Sequence, residues 1–252
     1  MTIIKANNLT KTYGDNLDNK TNAVRDISLD IKKGEFTAIM GPSGSGKSTL
    51  LNMLSGILEP SGGDVMIDGV SLSGMNKQQM AQFRREKIGF VFQDFNLLDN
   101  LTIKENIILP MVFGRKDKTA MEETARKYMQ TFGIEKIANK YPTEISGGQM
   151  QRTAVARALV NNPVTLFADE PTGNLDSKSS DAVMKCFEKI NIEGTTILMV
   201  THDVFAASFC KHVIFIKDGK INMDILRKGS RQQFFERILE CQAVVGGVSH
   251  DI

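Results

Sequence analysis

Nine consecutive residues carry the densest chemical signal in this chain: Gly41, Pro42, Ser43, Gly44, Ser45, Gly46, Lys47, Ser48 and Thr49. They fit G-x-x-x-x-G-K-[ST], following an apolar strand pattern, Phe36 to Met40, and preceding Leu50, Leu51 and Leu54 at helical spacing. Glycines here let successive backbone N–H groups converge on phosphate oxygens at the positive end of a helix. Lys47 offers a cation to the β and γ phosphates, and the Ser48 hydroxyl suits Mg²⁺. The chemistry implied is the binding of a nucleoside triphosphate.

A second element ends the apolar run Val164 to Ala168 with Asp169, Glu170 and Pro171. Neighbouring strand residues point to opposite sides, which places Asp169 toward Mg²⁺ and leaves Glu170 facing the attacking water as general base. Two acids closing a strand say little alone; beside Gly41 to Ser48 they read as the hydrolytic element.

Both elements fit many nucleotidases and kinases. The deciding run is Ile145, Ser146, Gly147, Gly148 and Gln149, which opens a helix with Gln151 and Arg152 just inside. A hydroxyl and two glycine amides at a helix N-terminus form another phosphate-binding end. One chain therefore has two such ends for one nucleotide.

This run resembles the signature of ABC ATPases, usually LSGGQ, with Ile145 in place of Leu. The resemblance implies an α/β fold: a P-loop NTPase ABC cassette with a RecA-like nucleotide-binding core, an antiparallel β subdomain and an inserted helical signature subdomain. It implies an ATPase domain over residues 1–226, its helical part about 94–162, and an extension over 227–252 with a short helix. It also implies a homodimer packed head to tail, in which Ser146, Gly147, Gly148 and Gln149 of one copy close on the γ phosphate held by the other copy's Gly-rich loop.

Further positions match the family pattern one by one. Tyr13 matches the aromatic residue that stacks on adenine, although alone it would read as packing. Gln93 matches the glutamine that touches Mg²⁺ and the attacking water, in a loop whose Phe95 to Leu98 lie near the surface that senses a membrane partner. Asp176 matches the loop that crosses the dimer interface and links the two sites. His202, in Thr201-His202-Asp203, matches the histidine that reaches the γ phosphate. The implied catalytic set is Glu170, His202 and Gln93, with Ser48, Gln93 and Asp169 at the metal. His212 and His250 have no such setting and read as surface or tail residues.

The elements that must position these residues are legible from periodicity. Ile27, Leu29 and Ile31 alternate as a strand, as do Phe36 to Met40, Ile88 to Phe92, Val164 to Ala168 and Thr196 to Val200. A polar helix is expected around Lys77 to Lys87, and Met121, Ala125, Tyr128, Met129 and Phe132 mark the apolar face of another. Val183, Phe187 and Ile190 mark a helix between two buried strands, and strands alternating with helices imply a parallel sheet. Val213 to Ile216 and Ile221 to Leu226 flank Asp218-Gly219 as a hairpin. A tail helix follows, with Phe234, Phe235, Ile238 and Leu239 on one side.

Composition excludes several classes. The 252 residues carry 31 Lys and Arg against 29 Asp and Glu, a net of +2 with no basic block, so nucleic acid is not an expected partner. Cys186, Cys210 and Cys241 are odd in number and far apart, which suggests reduced thiols in packing roles. No apolar run reaches the roughly 18 to 20 residues that cross a bilayer, and the N-terminus does not look like a leader.

Among ABC ATPases, the repair and chromosome types split the cassette with a long coiled coil, whereas here only about 120 residues without sustained heptads separate Lys47 from Asp169. Translation-associated members resemble two cassettes in one chain, and this chain has one. The remaining reading is a transporter subunit using MgATP at the cytoplasmic face of the membrane, driving a separate permease and, through it, a sensor kinase. Pro171 to Asp176 resembles the macrolide-exporter and lipoprotein-release group. Gln93 to Leu98, Ile214 to Gly219, Phe234-Phe235 and Val244 to Val248 look most like the Bce-type antimicrobial-peptide resistance ATPases. Asn174 stands where Bce-type proteins often have alanine, as in the lipoprotein and macrolide branches.

Overall fold

The computed structural model describes residues 1–14 and 20–246. His250 and Val248 lie outside the described residues.

Two sheets form the scaffold. The first is four-stranded, in the order β2-β1-β4-β5, from β1 (Thr2–Tyr13), β2 (Thr21–Lys32), β4 (Gly62–Ile67) and β5 (Val70–Ser71). Every pairing in it is antiparallel. The expected alternation in Ile27, Leu29 and Ile31 marks the inner face of β2. β1 was not foreseen: its run TIIKANNLTKTY is too polar in its second half to read as one strand, and pairing on both sides sustains it.

The second sheet is six-stranded, in the order β10-β9-β3-β8-β7-β6. It contains β3 (Phe36–Met40), β6 (Ile88–Val91), β7 (Thr165–Asp169), β8 (Thr196–Val200), β9 (His212–Lys217) and β10 (Lys220–Leu226). All its pairings are parallel except the β9/β10 hairpin. The middle strands are buried on both faces, which explains their unbroken apolar runs. Phe36, Ala38, Met40, Leu166, Ala168, Ile197 and Met199 enter one core, while Ile39, Phe167, Leu198 and Val200 enter the other.

The second of these cores is closed by α1 (Lys47–Leu54), through Leu50, Leu51, Met53 and Leu54, and by α2 (Lys77–Lys87), through Phe83. The first is closed by α5 (Gly147–Leu159), α6 (Ser177–Ile192), α7 (Val204–Ser208) and α8 (Arg231–Gly246). The helices α3 (Ile103–Phe113) and α4 (Lys118–Thr131) pack beside α5. On and just after α4, Ala125, Tyr128, Met129 and Phe132 are buried, as their spacing implied, and Met121 is partly so.

On α8 the expected apolar side is rotated. Phe234, Ile238 and Val245 are buried with Cys241 packed beside them, whereas Leu239 is 45% exposed. Residues four and seven apart share a helix face, so Phe234 and Leu239, five apart, cannot both face the core. Arg231, at the start of α8, lies over the Phe209 ring at 4.2 Å and fixes the tail against α7.

Candidate active site

Four loops leave the carboxyl ends of adjacent parallel strands: Gly41 to Gly46 after β3, the Gln93 loop after β6, Glu170 after β7 and His202 after β8. Ligands of open α/β sheets bind at this edge.

The Gly-rich loop ends at Gly46, whose φ of 95° and close approach to the Ala23 carbonyl on β2 admit no side chain. That turn starts α1 and leaves its first N–H groups free of intrahelical partners. Ser43, Gly44 and Ser48 are exposed; Gly41, Gly46, Lys47 and Thr49 are half-buried; Ser45 is buried against Gly41. Lys47 Nζ donates to the carbonyls of Gly41 at 3.0 Å and Pro42 at 2.9 Å. Burial pulls the Lys47 pKa below the usual lysine range, against the opposing pull of Glu170 and Asp169.

Ser48 Oγ donates to Asp169 Oδ1 at 3.1 Å, so the two elements read separately in the sequence meet. Burial raises the Asp169 pKa; the Ser48 hydrogen bond and Lys47 oppose this, and the Glu170 charge reinforces it.

Asp169 and Glu170 meet different partners, Ser48 and His202, but strand alternation is not the cause. Glu170 lies past the end of β7, in left-handed backbone with φ 46°. For a non-glycine residue this conformation costs about 1–3 kcal/mol and persists only where the surroundings over-determine it. Glu170 N donates to the Val200 carbonyl at 2.9 Å, and the Glu170 carbonyl accepts from Gly173 N at 3.0 Å. Its side chain, 13% exposed, contacts the far more exposed His202 ring, with Oε1 2.9 Å from Nδ1.

Gln93 lies against the turn after Glu170, close enough that a Cβ on Gly173 would sit 3.2 Å from its Nε2. Asn174 Nδ2 donates to the Gln93 carbonyl at 3.3 Å and to Asp94 Oδ1 at 3.1 Å. Downstream, Phe95 and Asn96 both have positive φ, and Arg157 on α5 donates to both their carbonyls. Sequence reasoning missed Arg157; its signal is a lone cation within the apolar stretch Ala154 to Leu159. Burial lowers the Arg157 pKa.

The Ser146 to Gln149 run opens α5 with a reciprocal cap. Ser146 caps α5, its Oγ accepting from Gln149 N at 3.3 Å while Gln149 Oε1 accepts from Ser146 N at 2.9 Å. Gly147 packs on Leu175 and Phe95, and Gly148 on Ser179. Asp176 caps α6, accepting from the amides of Lys178 and Ser179 at 3.0 Å and from Ser179 Oγ at 2.6 Å. These bonds, the Ser179 hydroxyl first, lower its pKa.

Tyr13 ends β1, 43% exposed, and pairs with Thr21 two residues before Ala23, the neighbour of Gly46. His212 is not the surface residue its sequence setting implied. Its Nε2 is 3.0 Å from Asp224 Oδ2 and its Nδ1 is 3.2 Å from Glu35 Oε1, the latter off the hydrogen-bond line and mainly electrostatic. The imidazole serves the β9/β10 edge, away from the loops above.

The family model described as ABC transporter matches residues 24–173. The chain belongs to the ABC transporter family. It is an ATP-hydrolysing cassette of that family, and its described residues include no helix long and apolar enough to cross a membrane. A solved dimeric post-hydrolysis state of the ATP-binding cassette MJ0796 bound to ADP and Pi superimposes with a TM-score of 0.83 at 40% identity, covering 90% of this chain and 100% of that one. The cassette fold expected from the signature is therefore the fold observed.

Among relatives, the bacitracin export ATP-binding protein BceA of Halalkalibacterium halodurans is 48% identical over 100% of both chains. The macrolide export ATP-binding/permease protein MacB of Campylobacter jejuni is 42% identical over 90% of this chain and 34% of its own length.

Proposed function

We propose that this cassette hydrolyses MgATP as a head-to-tail homodimer docked on a separate permease, and that the transporter acts in resistance to antimicrobial peptides. The observation that carries the hydrolytic part is the convergence of Lys47, Ser48, Asp169, Glu170, Gln93 and His202 on one sheet edge. Ser146 to Gly148 form a second anion-binding end on the same chain, which a second copy would use.

The donor set fits the metal. Ser48, Gln93 and Asp169 offer hard oxygens, and Asp169 is a half-buried carboxylate whose charge a cation would offset. A single carboxylate with the nucleotide's own phosphates is the usual way proteins hold Mg²⁺. When bound, the ion screens charge on the β and γ phosphates. Lys47 turns from the Gly41 and Pro42 carbonyls to the same phosphates, and Tyr13 stacks on the adenine. Glu170 takes the proton of the attacking water, Gln93 orients that water, and His202 holds the Glu170 carboxylate and reaches the γ phosphate. Asp176 sets the loop that crosses to the other copy.

For the permease, the docking place is the groove of about 250 Å³ lined by Arg85, Phe90, Phe92, Asn96, Pro110 and Arg157, which borders the Gln93 loop. The extent of the alignments supports the peptide reading. The bacitracin-export relative aligns over the whole chain, tail 227–252 included, whereas the macrolide relative and the MJ0796 cassette each align over 90% of it. Asn174 favours the macrolide and lipoprotein-release branch as the second reading.

The test is capture of the tagged chain from native membranes, identification of the co-purified permease and sensor kinase, and phosphate release by the complex with and without a bacitracin-type peptide. Turnover that responds to peptide supports the proposal. Turnover that responds only to a macrolide or a lipoprotein overturns the peptide assignment.

A further inference from the structure

Gln151 lies one turn into α5 and is fully buried. Its Nε2 donates to the Pro171 carbonyl at 2.8 Å, while its Oε1, also buried, has no partner among the described residues. The Thr172 hydroxyl, next along the chain from Pro171, is buried without a partner as well. An amide held in a close-packed interior for one hydrogen bond is a poor choice for stability alone, since an apolar side chain of that shape would leave no acceptor orphaned on α5. The value of Gln151 must lie in the bond it makes.

That bond ends on the residue after Glu170. The left-handed Glu170 backbone is held on one side by Val200, on the other by Gly173, and one peptide further on by Gln151. The first two anchors belong to β8 and to the turn itself. Gln151 alone among the three belongs to the helix whose first residues are Ser146 to Gly148. The start of that helix is stiff: Ser146 and Gln149 lock it reciprocally, and Gly148 packs on Ser179 without room for a methyl group. A shift of the Ser146 end therefore reaches Gln151, five residues on, as a rigid-body shift.

We propose that Gln151 is a positioning residue: it ties the phosphate-binding end of α5 to the backbone that carries Glu170. In a head-to-tail pair, the Ser146 end of one copy closes on the nucleotide held by the other. Gln151 then makes nucleotide docking at one site orient the general base of the other site. This rests on the dimeric, Glu170-dependent hydrolysis proposed above.

The test is phosphate release against ATP concentration for the full chain, with nucleotide affinity and melting temperature measured in parallel. Gln151→Met keeps the length of the side chain and removes the donor. It should lower kcat about tenfold, leave ATP affinity within about twofold and bring the Hill coefficient toward 1. Gln151→Glu supplies a second handle, because a buried carboxyl that stays protonated still donates to Pro171. Its deficit relative to the native chain should narrow as pH falls. Native kcat and cooperativity in Gln151→Met, or losses of turnover, affinity and melting temperature in proportion with no pH-dependent recovery in Gln151→Glu, would overturn the proposal. Turnover retained in Glu170→Gln would instead overturn the hydrolytic assignment on which it rests.

Discussion

His202 Nδ1 lies 2.9 Å from Glu170 Oε1, and the His202 amide donates to Glu170 Oε2 at 3.3 Å. The two residues leave neighbouring strands, β8 and β7, so the carboxylate is gripped by a loop other than its own. Glu170→Gln keeps the shape of that contact and removes the base. Phosphate release should fall by roughly 10²–10⁴-fold, with ATP binding and ATP-dependent dimerisation retained. His202→Ala should lower kcat through the freed Glu170 side chain. Near-native turnover in Glu170→Gln, read by a phosphate-release assay, would show that another group takes the proton.

Lys47→Ala should fail earlier. Lys47 is tethered to the Gly41 and Pro42 carbonyls of the loop assigned above to phosphate. Its removal should weaken ATP affinity itself, as measured by equilibrium titration, so no ATP-dependent dimer forms. An unchanged affinity with lost turnover would assign Lys47 to the chemical step alone.

The strands and helices that bear these groups were legible because apolar periodicity is strong where both sheet faces are buried, as in Phe36 to Met40 and Thr196 to Val200. The Gly-rich loop was legible because its backbone geometry restricts composition. What stayed hidden depends on tertiary partners. β1 is polar along half its length and exists through pairing on both edges. Arg157 and Gln151 act on backbone carbonyls of distant loops, and a carbonyl acceptor leaves no mark on residue type. His212 gains its role from Glu35 and Asp224, which arrive from other elements. The direction of Glu170 comes from one left-handed residue that a strand pattern does not reveal.

Arg157 holds the Phe95 and Asn96 carbonyls across about 60 residues of sequence. In Arg157→Met both carbonyls lose a charged donor. The expected loss is about 1.5–3 kcal/mol, or roughly 3–6 °C in melting temperature for a chain of this size. Because the freed segment borders the groove assigned to the permease, stimulation of ATP turnover by the permease should fall more than basal turnover. Equal losses of both would place Arg157 in general stability alone.

The edge at His212 should respond to pH. The nearby Glu35 carboxylate raises the His212 pKa, burial opposes, and Asp224 adds to the rise. Burial acts to raise the Glu35 pKa, but the His212 imidazole beside it and the hydrogen bond from the Lys32 amide lower it overall. A raised histidine pKa gives stability that is fully present below about pH 6.5, the ordinary histidine value, and is lost as pH rises through the folded value. The lowered Glu35 pKa works at the other end, its share being lost as pH falls through its folded value. The melting-temperature advantage of the native chain over His212→Gln should therefore shrink as pH rises from about 6.5 through the raised folded value. A constant difference between the two across that range would mean that His212 is neutral in the fold.

Gly148 packs so closely on α6 that a Cβ there would lie 2.8 Å from both Cβ and Oγ of Ser179. Gly148→Ala should push the Ser146 end of α5 away from Asp176 and the start of α6, and ATP turnover should drop although Lys47 and Glu170 are untouched. Ser179→Gly removes the obstructing atoms but also a bond to Asp176, at a cost of about 1 kcal/mol for a glycine within a helix. If the clash is the cause, the double variant Gly148→Ala/Ser179→Gly should turn over ATP faster than Gly148→Ala alone, a coupling that a double-mutant cycle measures directly. Strict additivity would mean that the alanine interferes with the partner's nucleotide and not with the seat of α5 on its own chain.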